Sequence, residues 1–186
     1  MIYILLANGF METETCAPLN ILRRCGAAVQ LVNVSGGPYV EGSNGLRVIP
    51  DIDFADLQTE QAEAIVLPGG MPGASNLGQD ERVISLLQQQ AKRGGLIAAI
   101  CAAPFVLGKA GILTGHKACA YPGFEAYMAG VTLCPDLVVE DGQFITANGP
   151  SAAFAFGFAL ASRLCPAENV EAVFQGMQMP QLKARL

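Results

Sequence analysis

Several residue types and patterns are scarce or missing in this sequence. It has no tryptophan and one histidine in 186 residues, and only 15% of its residues are charged. A net charge of −5 argues against binding to nucleic acid or to an anionic membrane surface. No run reaches the roughly 18 to 20 apolar residues that a transmembrane helix needs. The phosphate-loop pattern G-x-x-x-x-G-K-[ST] is also missing, which argues against a kinase.

The cysteines form no C-x-x-C pair, and one histidine cannot complete a Cys/His zinc site, so we expect no metal and no cofactor. The six are Cys16, Cys25, Cys101, Cys119, Cys134 and Cys165. We expect five of them to be buried free thiols in a reducing cytoplasm, with Cys101 as the exception. The N-terminal MIYILLANG lacks a basic lead and a cleavage site, which indicates a first strand and not a signal peptide.

The composition favours an α/β fold. Hydrophobic residues make up 52% of the chain, which suits parallel strands that are buried on both faces, and the length fits one domain over residues 1–186. Predicted strands are Ile2–Ala7, Ala28–Val34, Ala64–Gly70 (running into a glycine turn), Leu96–Ile100, Lys117–Ala120, Leu137–Glu140 and Phe144–Thr146. Predicted helices are Glu12–Cys25, Glu81–Arg93, Ala102–Ala110, Ser151–Leu164 and Ala167–Met177. The Gly/Pro-punctuated stretch 36–51 indicates a hairpin or an irregular excursion.

Sites in open α/β sheets form beyond the carboxyl ends of the strands, where Cys101 directly follows Ile100. A nucleophile on a sharp strand-to-helix turn needs small neighbours two positions away, and Ala99 and Ala103 occupy those positions. The N–H groups and the dipole of the following helix favour a thiolate. A buried structural cysteine in a small-residue turn would leave the same local pattern.

The turn after Leu67, PGGMPGASN, is rich in glycine. Gly69, Gly70 and Gly73 could let backbone N–H groups point at an anion, as an oxyanion hole requires. A flexible connection between a strand and a helix explains the glycines equally well.

The first predicted helix carries a carboxyl group on its inward face. Its apolar stripe consists of Ala17, Pro18, Ile21, Leu22 and Cys25. Glu14 lies three residues before Ala17 and four before Pro18, so it belongs to the same face of the helix. Glu12 lies nearer the boundary of the stripe. Glu12 is therefore expected to complement the helix dipole. Glu14 faces the core, and a carboxylate there must find a partner.

Four segments resemble, in order, the signature segments of the ThiJ/PfpI superfamily, on the branch that includes the parkinsonism-associated protein. They are NGFMETET…NILRRCGAAV, VLPGGMPGASNL, GLIAAICAAP and ITANGPSAAFAFG, and together they span nearly the whole chain. The resemblance implies a flavodoxin-like α/β/α sandwich (class I glutamine amidotransferase-like) with a mainly parallel sheet, usually as a homodimer. It assigns Cys101 as the reactive nucleophile and Glu14 as the protonated carboxyl that hydrogen-bonds the thiolate. It also places the backbone N–H groups of Gly70 and Ala102 around a bound oxyanion.

The sequence departs from the superfamily at two histidine positions. The resembled branch has His-Pro where this chain has Tyr121-Pro122, and the peptidase-like branch has histidine where this chain has Ala102. The lone His116 is expected to be a solvated turn residue. Tyr121 could hold a substrate oxygen through its hydroxyl, but a neutral phenol is a poor base at pH 7. Peptidase activity is therefore not expected.

Two hypotheses about function follow. In the first, the resemblance implies cofactor-independent glyoxalase or deglycase chemistry on reactive dicarbonyls such as methylglyoxal, or on a glycated substrate, with Cys101 adding to the carbonyl. In the second, the chain is a redox-responsive stress protein or chaperone in which an oxidant modifies Cys101 without turnover. The missing histidine favours the second, and the Cys/Glu pair serves both. Either way we expect a cytoplasmic homodimer with no nucleic-acid or membrane partner.

Cys101 should be the most reactive of the six thiols, because its corner position implies a low pKa. Competitive alkylation at mildly acidic pH, followed by peptide mapping, should label it first. Preferential labelling of Cys16 or Cys165 would contradict the assignment.

Overall fold

A seven-stranded sheet forms the centre of the fold. The structure, a computed structural model, describes residues 1–183, so positions 184–186 of the predicted 1–186 domain lie outside the described residues. The strands are β1 Ile2–Leu6, β2 Val29–Asn33, β3 Val40–Glu41, β4 Arg47–Val48, β5 Ile52–Asp53, β6 Ala64–Leu67, β7 Leu96–Ile100, β8 Lys117–Ala118, β9 Thr132–Leu133, β10 Val138–Asp141 and β11 Phe144–Ala147. The strand order in the large sheet is β10-β11-β7-β6-β1-β2-β5. Within this large sheet, as far as the structure describes it, only the edge strand β10 pairs antiparallel. The predicted mainly parallel sheet is therefore confirmed.

Helices cover both faces of this sheet. They are α1 Glu12–Arg24, α2 Gly73–Gln79, α3 Glu81–Lys92, α4 Pro104–Lys109, α5 Ala153–Leu164, α6 Ala167–Gly176 and α7 Met179–Lys183. Alternate residues of β1 point to opposite faces, as the strand period of two requires: Ile4 packs with α1, α5 and α6, and Leu5 packs with α2, α3 and α4. Because both faces are covered, the central strands are apolar along their whole length.

The contact between α1 and α5 depends on a glycine. A Cβ atom on Gly157 would lie 3.1 Å from Pro18 Cα and 2.7 Å from Ile21 Cδ1. The two helix backbones can therefore approach closely only because Gly157 has no side chain. This contact holds α1, and the carboxyl group in its first turn, against the sheet.

The structure differs from the predicted elements in several places. The expected hairpin is present as β3 and β4, but the glycine-rich segment after β6 also forms the short helix α2, which was not predicted. Its first residue, Gly73, packs so closely on the loop at Phe10 that an added Cβ would lie 2.6 Å from Phe10 N. The predicted helix start at Ala102 is wrong: α4 begins at Pro104, because Ala102 and Ala103 belong to a tight turn. The short elements β5, β9 and α7 were also missed.

Within the described part of the chain, no helix combines the length and the apolar character that crossing a bilayer requires.

We expect Gly157→Val to lower the free energy of unfolding by about 1–3 kcal/mol, because the added methyl groups would overpack the α1–α5 contact. Ser162→Val is the matched control, since it introduces the same β-branched residue at an exposed position of the same helix. Urea unfolding of both variants measures the difference. Equal stability of the two would show that the α1–α5 contact has room for a side chain at Gly157.

Candidate active site

Three neighbouring strands of the large sheet end at the candidate site. β1, β6 and β7 are adjacent and parallel, so their carboxyl ends meet at one edge. The segment after β1 leads into α1 and Glu14, the segment after β6 contains Gly69 and Gly70, and Cys101 follows β7. The three predicted turns are therefore brought together.

Cys101 occupies a sharp corner with φ = 64°, in the left-handed region that non-glycine residues rarely adopt. Backbone hydrogen bonds hold this conformation. Cys101 N–H donates to Ala147 O at 2.8 Å, and Cys101 O accepts from Tyr121 N–H at 2.7 Å. Ala103 N–H donates to Ile100 O at 3.0 Å and closes the turn. The residue is 7% exposed. A strained backbone fixed from several sides is the geometry of a nucleophile elbow.

Glu14 is fully buried, with 0% of its surface exposed. Its Oε2 accepts a hydrogen bond from Gly69 N–H at 2.8 Å, and its Oε1 is buried with no hydrogen-bond partner. Gly69 lies between the carboxyl and the cysteine: an added Cβ would lie 2.7 Å from Glu14 Oε2 and 2.8 Å from Cys101 Cβ. Only glycine leaves these two side chains room to face each other.

The two side chains change each other's protonation. Burial raises the pKa of Glu14 to about 7, although hydrogen bonds with Cys101 and Gly69 lower it. The pKa of the Cys101 thiol is raised to about 12, mainly by burial and in addition by the charge and hydrogen bond of Glu14. The expectation of a low thiol pKa is therefore wrong when Glu14 is ionised, because a second negative charge would be forced into a desolvated site. The pair loses one proton near neutral pH and holds the other much more tightly, and the two titration steps belong to the pair.

Two backbone N–H groups act on the sulfur. The N–H groups of Ala102 and Gly70 lower the pKa of Cys101, which means that both can stabilise negative charge there. Gly70 adopts φ = 87°, and an added Cβ would lie 2.5 Å from Gly9 O and 2.7 Å from Phe10 C. The backbone at this position can be reached only by glycine.

Tyr121 lies at the rim of the site. Its backbone N–H donates a hydrogen bond to Cys101 O. Its ring packs on Gly149, since a Cβ added there would lie 3.4 Å from Tyr121 Cδ2. The residue is 47% exposed. Tyr121 therefore lies close to the Cys101 elbow, and its side chain is accessible to a ligand in solution.

His116 lies at the opposite edge of the sheet. Its ring is edge-on to Phe144 at 4.8 Å, and its Nδ1 is 3.3 Å from Asp141 Oδ2. Phe144 pairs with Ile97 at the start of β7, whereas Cys101 follows the far end of that strand. His116 therefore cannot serve as the general base for Cys101. Its half-exposed position agrees with the predicted turn residue.

Glu12 has a role that the sequence did not reveal. Its Oε1 accepts from Asn44 N–H at 2.7 Å, and its Oε2 accepts from Asn44 Nδ2 at 2.9 Å and from Ser43 Oγ at 3.3 Å. Burial would raise the pKa of Glu12, but these hydrogen bonds outweigh it and lower the pKa. The hairpin turn is thus fixed to the start of α1. The sequence could not predict this role, because the hydrogen bonds join residues that are 31 and 32 positions apart.

A cleft of about 680 Å³ opens beside the Gly70 turn. Its lining residues are Asn8, Gly9, Gly36, Gly37, Pro38, Tyr39, Glu41, Gly42, Ser43, Met71 and Pro72. Cys101 is not among them, so the thiol is not part of the wall of this cleft. Within residues 1–183, no group of three or more His, Cys, Asp or Glu residues is arranged to hold a metal ion.

The fold and the site define a class: α/β proteins with a cysteine on a nucleophile elbow beside a buried carboxyl. The DJ-1/PfpI family model matches residues 1–163, and the chain belongs to this family, as the resemblance of its motifs implied. Protein dj-1beta of Drosophila melanogaster is 36% identical over 176 residues, covering 94% of both chains. Its crystal structure has a TM-score of 0.91 at 35% identity and covers 95% of this chain and 96% of that one. The predicted flavodoxin-like fold is confirmed.

Two further relatives carry names that state an activity. The glutathione-independent glyoxalase DJR-1.2 of Caenorhabditis elegans is 34% identical over 154 residues, covering 82% of both chains. Deglycase PH1704 of Pyrococcus horikoshii is 31% identical over 157 residues, covering 83% of this chain and 93% of that one.

The raised pKa of Glu14 predicts a pH-dependent stability. Its pKa is about 7 in the folded protein against about 4.5 without burial, so the folded state binds the proton more tightly. The resulting stabilisation is present below about pH 4.5 and is lost as the pH rises to about 7, by about 3 kcal/mol in total. We expect the stability of the wild type relative to Glu14→Gln to fall by this amount in urea titrations across that range.

Glu12→Gln is the matched control for this titration, because the pKa of Glu12 is lowered. Its removal should give the opposite sign, a loss of stability that is larger at neutral pH than in acid. Parallel pH profiles for the wild type and Glu14→Gln would contradict the raised pKa of Glu14.

Proposed function

We propose that this protein is a cofactor-independent enzyme of the glyoxalase or deglycase type that acts on small reactive dicarbonyls such as methylglyoxal. The observation that carries the proposal is the geometry of the Cys101–Glu14 pair: the thiol lies at a strained corner, only Gly69 separates it from the buried carboxyl, and the N–H groups of Gly70 and Ala102 lower its pKa. The activities named for the nematode and archaeal relatives support it.

The first step is nucleophilic addition. With the shared proton on Glu14, the Cys101 thiolate attacks the aldehyde carbon, a C–S bond forms, and the C=O π electrons move to oxygen. The N–H groups of Gly70 and Ala102 are placed to hold that oxygen as its charge develops. Glu14 then supplies the proton, which gives a hemithioacetal and leaves Glu14 as a carboxylate.

The second step uses the same carboxylate as a base. Glu14 removes the hydrogen on the C–S carbon as a proton while the neighbouring carbonyl oxygen gains a proton, which gives an enediol. Glu14 then returns its proton to the neighbouring carbon as the hydroxyl on the C–S carbon loses its own, which leaves a C=O there and converts the hemithioacetal to a thioester. Oε1 is the oxygen free to exchange the proton, because it has no other hydrogen bond. Water then cleaves the thioester to a 2-hydroxy acid and restores the Cys101 thiol. In the sum, one dicarbonyl and one water give one hydroxy acid.

We assign Tyr121 as a substrate contact. It is exposed at the rim and bonded through its backbone to Cys101, so its hydroxyl is available to a second substrate oxygen. It replaces a histidine of the related branch and is a poor base at neutral pH. All proton transfer therefore falls to Glu14.

A second candidate function is redox sensing at Cys101. It is favoured by the position of His116 at the far edge of the sheet and by the unpartnered Glu14 Oε1. One hydrogen peroxide would oxidise the thiolate to a sulfenate and a second would oxidise the sulfenate to a sulfinate, each transferring one oxygen atom and leaving as water. A neutral Glu14 would donate a hydrogen bond to the product. No turnover is needed in this case.

We further propose that the chain is a homodimer in a reducing compartment such as the cytoplasm. Six free thiols suit that compartment. A groove of about 480 Å³ between α1 and α5 includes Ala17, the exposed Phe154 and Met177, which gives an apolar surface that a second copy could cover. Light scattering should then give twice the chain mass of 19.4 kDa.

Methylglyoxal consumption tests the enzyme proposal. We expect Cys101→Ser to abolish turnover, because the nucleophile is lost, and Glu14→Gln to lower kcat by about 10²–10⁴-fold, because the proton cannot move. Tyr121→Phe should mainly raise KM. Cys134→Ser is the control, since it removes a thiol from a strand pair away from the elbow, and it should keep wild-type rates.

No consumption by the wild type would overturn the enzyme proposal. If mild peroxide then adds about 32 Da to the wild type but not to Cys101→Ser, the redox function is supported instead. Consumption that survives in Cys101→Ser would contradict both.

A further inference from the structure

Two of the cysteines lie together at the end of α1 remote from Glu14. Cys25 is the C-cap of α1, and Cys165 is the C-cap of α5. Cys25 is 1% exposed in the core cluster on this face of the sheet, and the partly exposed Cys165 packs against the same cluster. Asn169 in α6 fixes the arrangement: its Nδ2 donates to Cys25 O at 3.0 Å, and the Cys25 thiol donates to Asn169 O at 3.9 Å.

The two cysteines are neighbours because α1 and α5 lie side by side and run in the same direction. The start of α5 at Ala153 shares a groove with Ala17 of α1, and Gly157 further along packs on Ile21, so the C-terminal ends of the two helices also lie together.

Burial raises the pKa of both thiols, the hydrogen bond with Cys165 lowers that of Cys25, and the same hydrogen bond raises that of Cys165. Within the pair, negative charge is therefore favoured on Cys25. The neighbouring Arg24 also lowers the pKa of Cys25 by its charge. The two thiols therefore titrate as a coupled pair, and the first negative charge is favoured on the Cys25 sulfur.

A second pair of cysteines lies in the chain's small parallel sheet, and it is less suited to bond formation. Cys119 and Cys134 follow β8 and β9, where Cys134 N–H donates to Ala118 O. The Cys119 sulfur is 3.9 Å from Leu137 O and 3.7 Å from Thr146 Oγ1. The Cys134 thiol donates instead to Thr132 O. In this pair both thiols have an oxygen partner, whereas in the pair at the helix ends only Cys25 has one among the described residues.

We propose that Cys25 and Cys165 are a dithiol that a hydroperoxide converts to a disulfide, forming a redox site separate from Cys101. One sulfur attacks the peroxide as a thiolate: an S–O bond forms, the O–O bond breaks, and the departing hydroxide leaves as water with a proton. The second sulfur then attacks the sulfenic sulfur, the S–S bond forms, and the hydroxyl leaves as a second water. The two thiols lose two electrons and two protons, and the peroxide gains them.

The disulfide would link two helix ends that are distant in the chain. A cross-link between residues 25 and 165 closes a long loop and restricts the unfolded chain, so the oxidised protein should resist unfolding more than the reduced one. It would also fix the C-terminal end of α1 to α5. The partly exposed Cys165 gives a small oxidant access to the pair.

The experiment uses the full chain with Cys101→Ser, so that oxidation at the elbow cannot interfere. After hydrogen peroxide and alkylation of the remaining thiols, we expect the intact protein to carry two alkyl groups fewer than the alkylated reduced protein. It should also be lighter by the two hydrogens lost in the cross-link, about 2 Da. Peptide mapping without reductant should join the Cys25 and Cys165 peptides, and dithiothreitol should separate them. The thermal midpoint of the oxidised protein should lie above that of the reduced protein.

Cys101→Ser/Cys165→Ser should lose the cross-link, and Cys101→Ser/Cys134→Ser, the matched control, should keep it. Equal thermal midpoints of the reduced proteins show that each variant is folded. Full alkylation of Cys25 and Cys165 after peroxide, or a cross-link between any other pair, would overturn the proposal. Because Cys101 is absent throughout, these outcomes are independent of the proposed enzyme function.

Discussion

The carboxyl group of Glu14 has no exposed surface, and a carboxyl in that position must be neutral or must share its charge with a partner. Several contacts around Glu14 keep the carboxyl buried and place it beside its partner. The α1–α5 contact at Gly157 sets the depth of α1, and Gly69 supplies one N–H while leaving space for Cys101. The elbow at Cys101 then brings a second ionisable group into the same desolvated space. The chemistry of the site follows from the proton that the two groups share.

The site is built mostly from backbone groups. Cys101 is fixed by hydrogen bonds to Ala147 and Tyr121, and its sulfur is stabilised by peptide N–H groups of Gly70 and Ala102. These donors keep their positions because they belong to turns at the ends of buried parallel strands. No histidine belongs to this arrangement: the chain's one histidine, His116, packs on Phe144 near the other end of β7.

The sequence was sufficient wherever a pattern reflects burial over a short segment. Hydrophobic runs located the central strands, the flanking alanines indicated the tight turn at Cys101, and helical periodicity placed Glu14 on the inward face. Features set by distant contacts were not predictable. Helix α2 forms because Gly73 packs on the loop after β1, and Glu12 binds a hairpin turn far along the chain. The pKa of the Cys101 thiol was expected to be lowered and is instead raised. The direction of this shift depends on how deeply the pair is buried, which the residue types alone do not reveal.

The glycines around the nucleophile have a consequence for how the site tolerates substitution. Most active sites fail when a functional side chain is truncated, but here the donors at Gly69, Gly70 and Ala102 are peptide groups that no side-chain replacement removes. At Gly69 and Gly70, an added methyl group would meet the carboxyl, the cysteine or the backbone of the loop after β1. Alanine scanning would therefore disrupt these positions by enlarging them, and it would leave the donor at Ala102 untouched. Sequence change can damage this site by adding atoms as readily as by removing them.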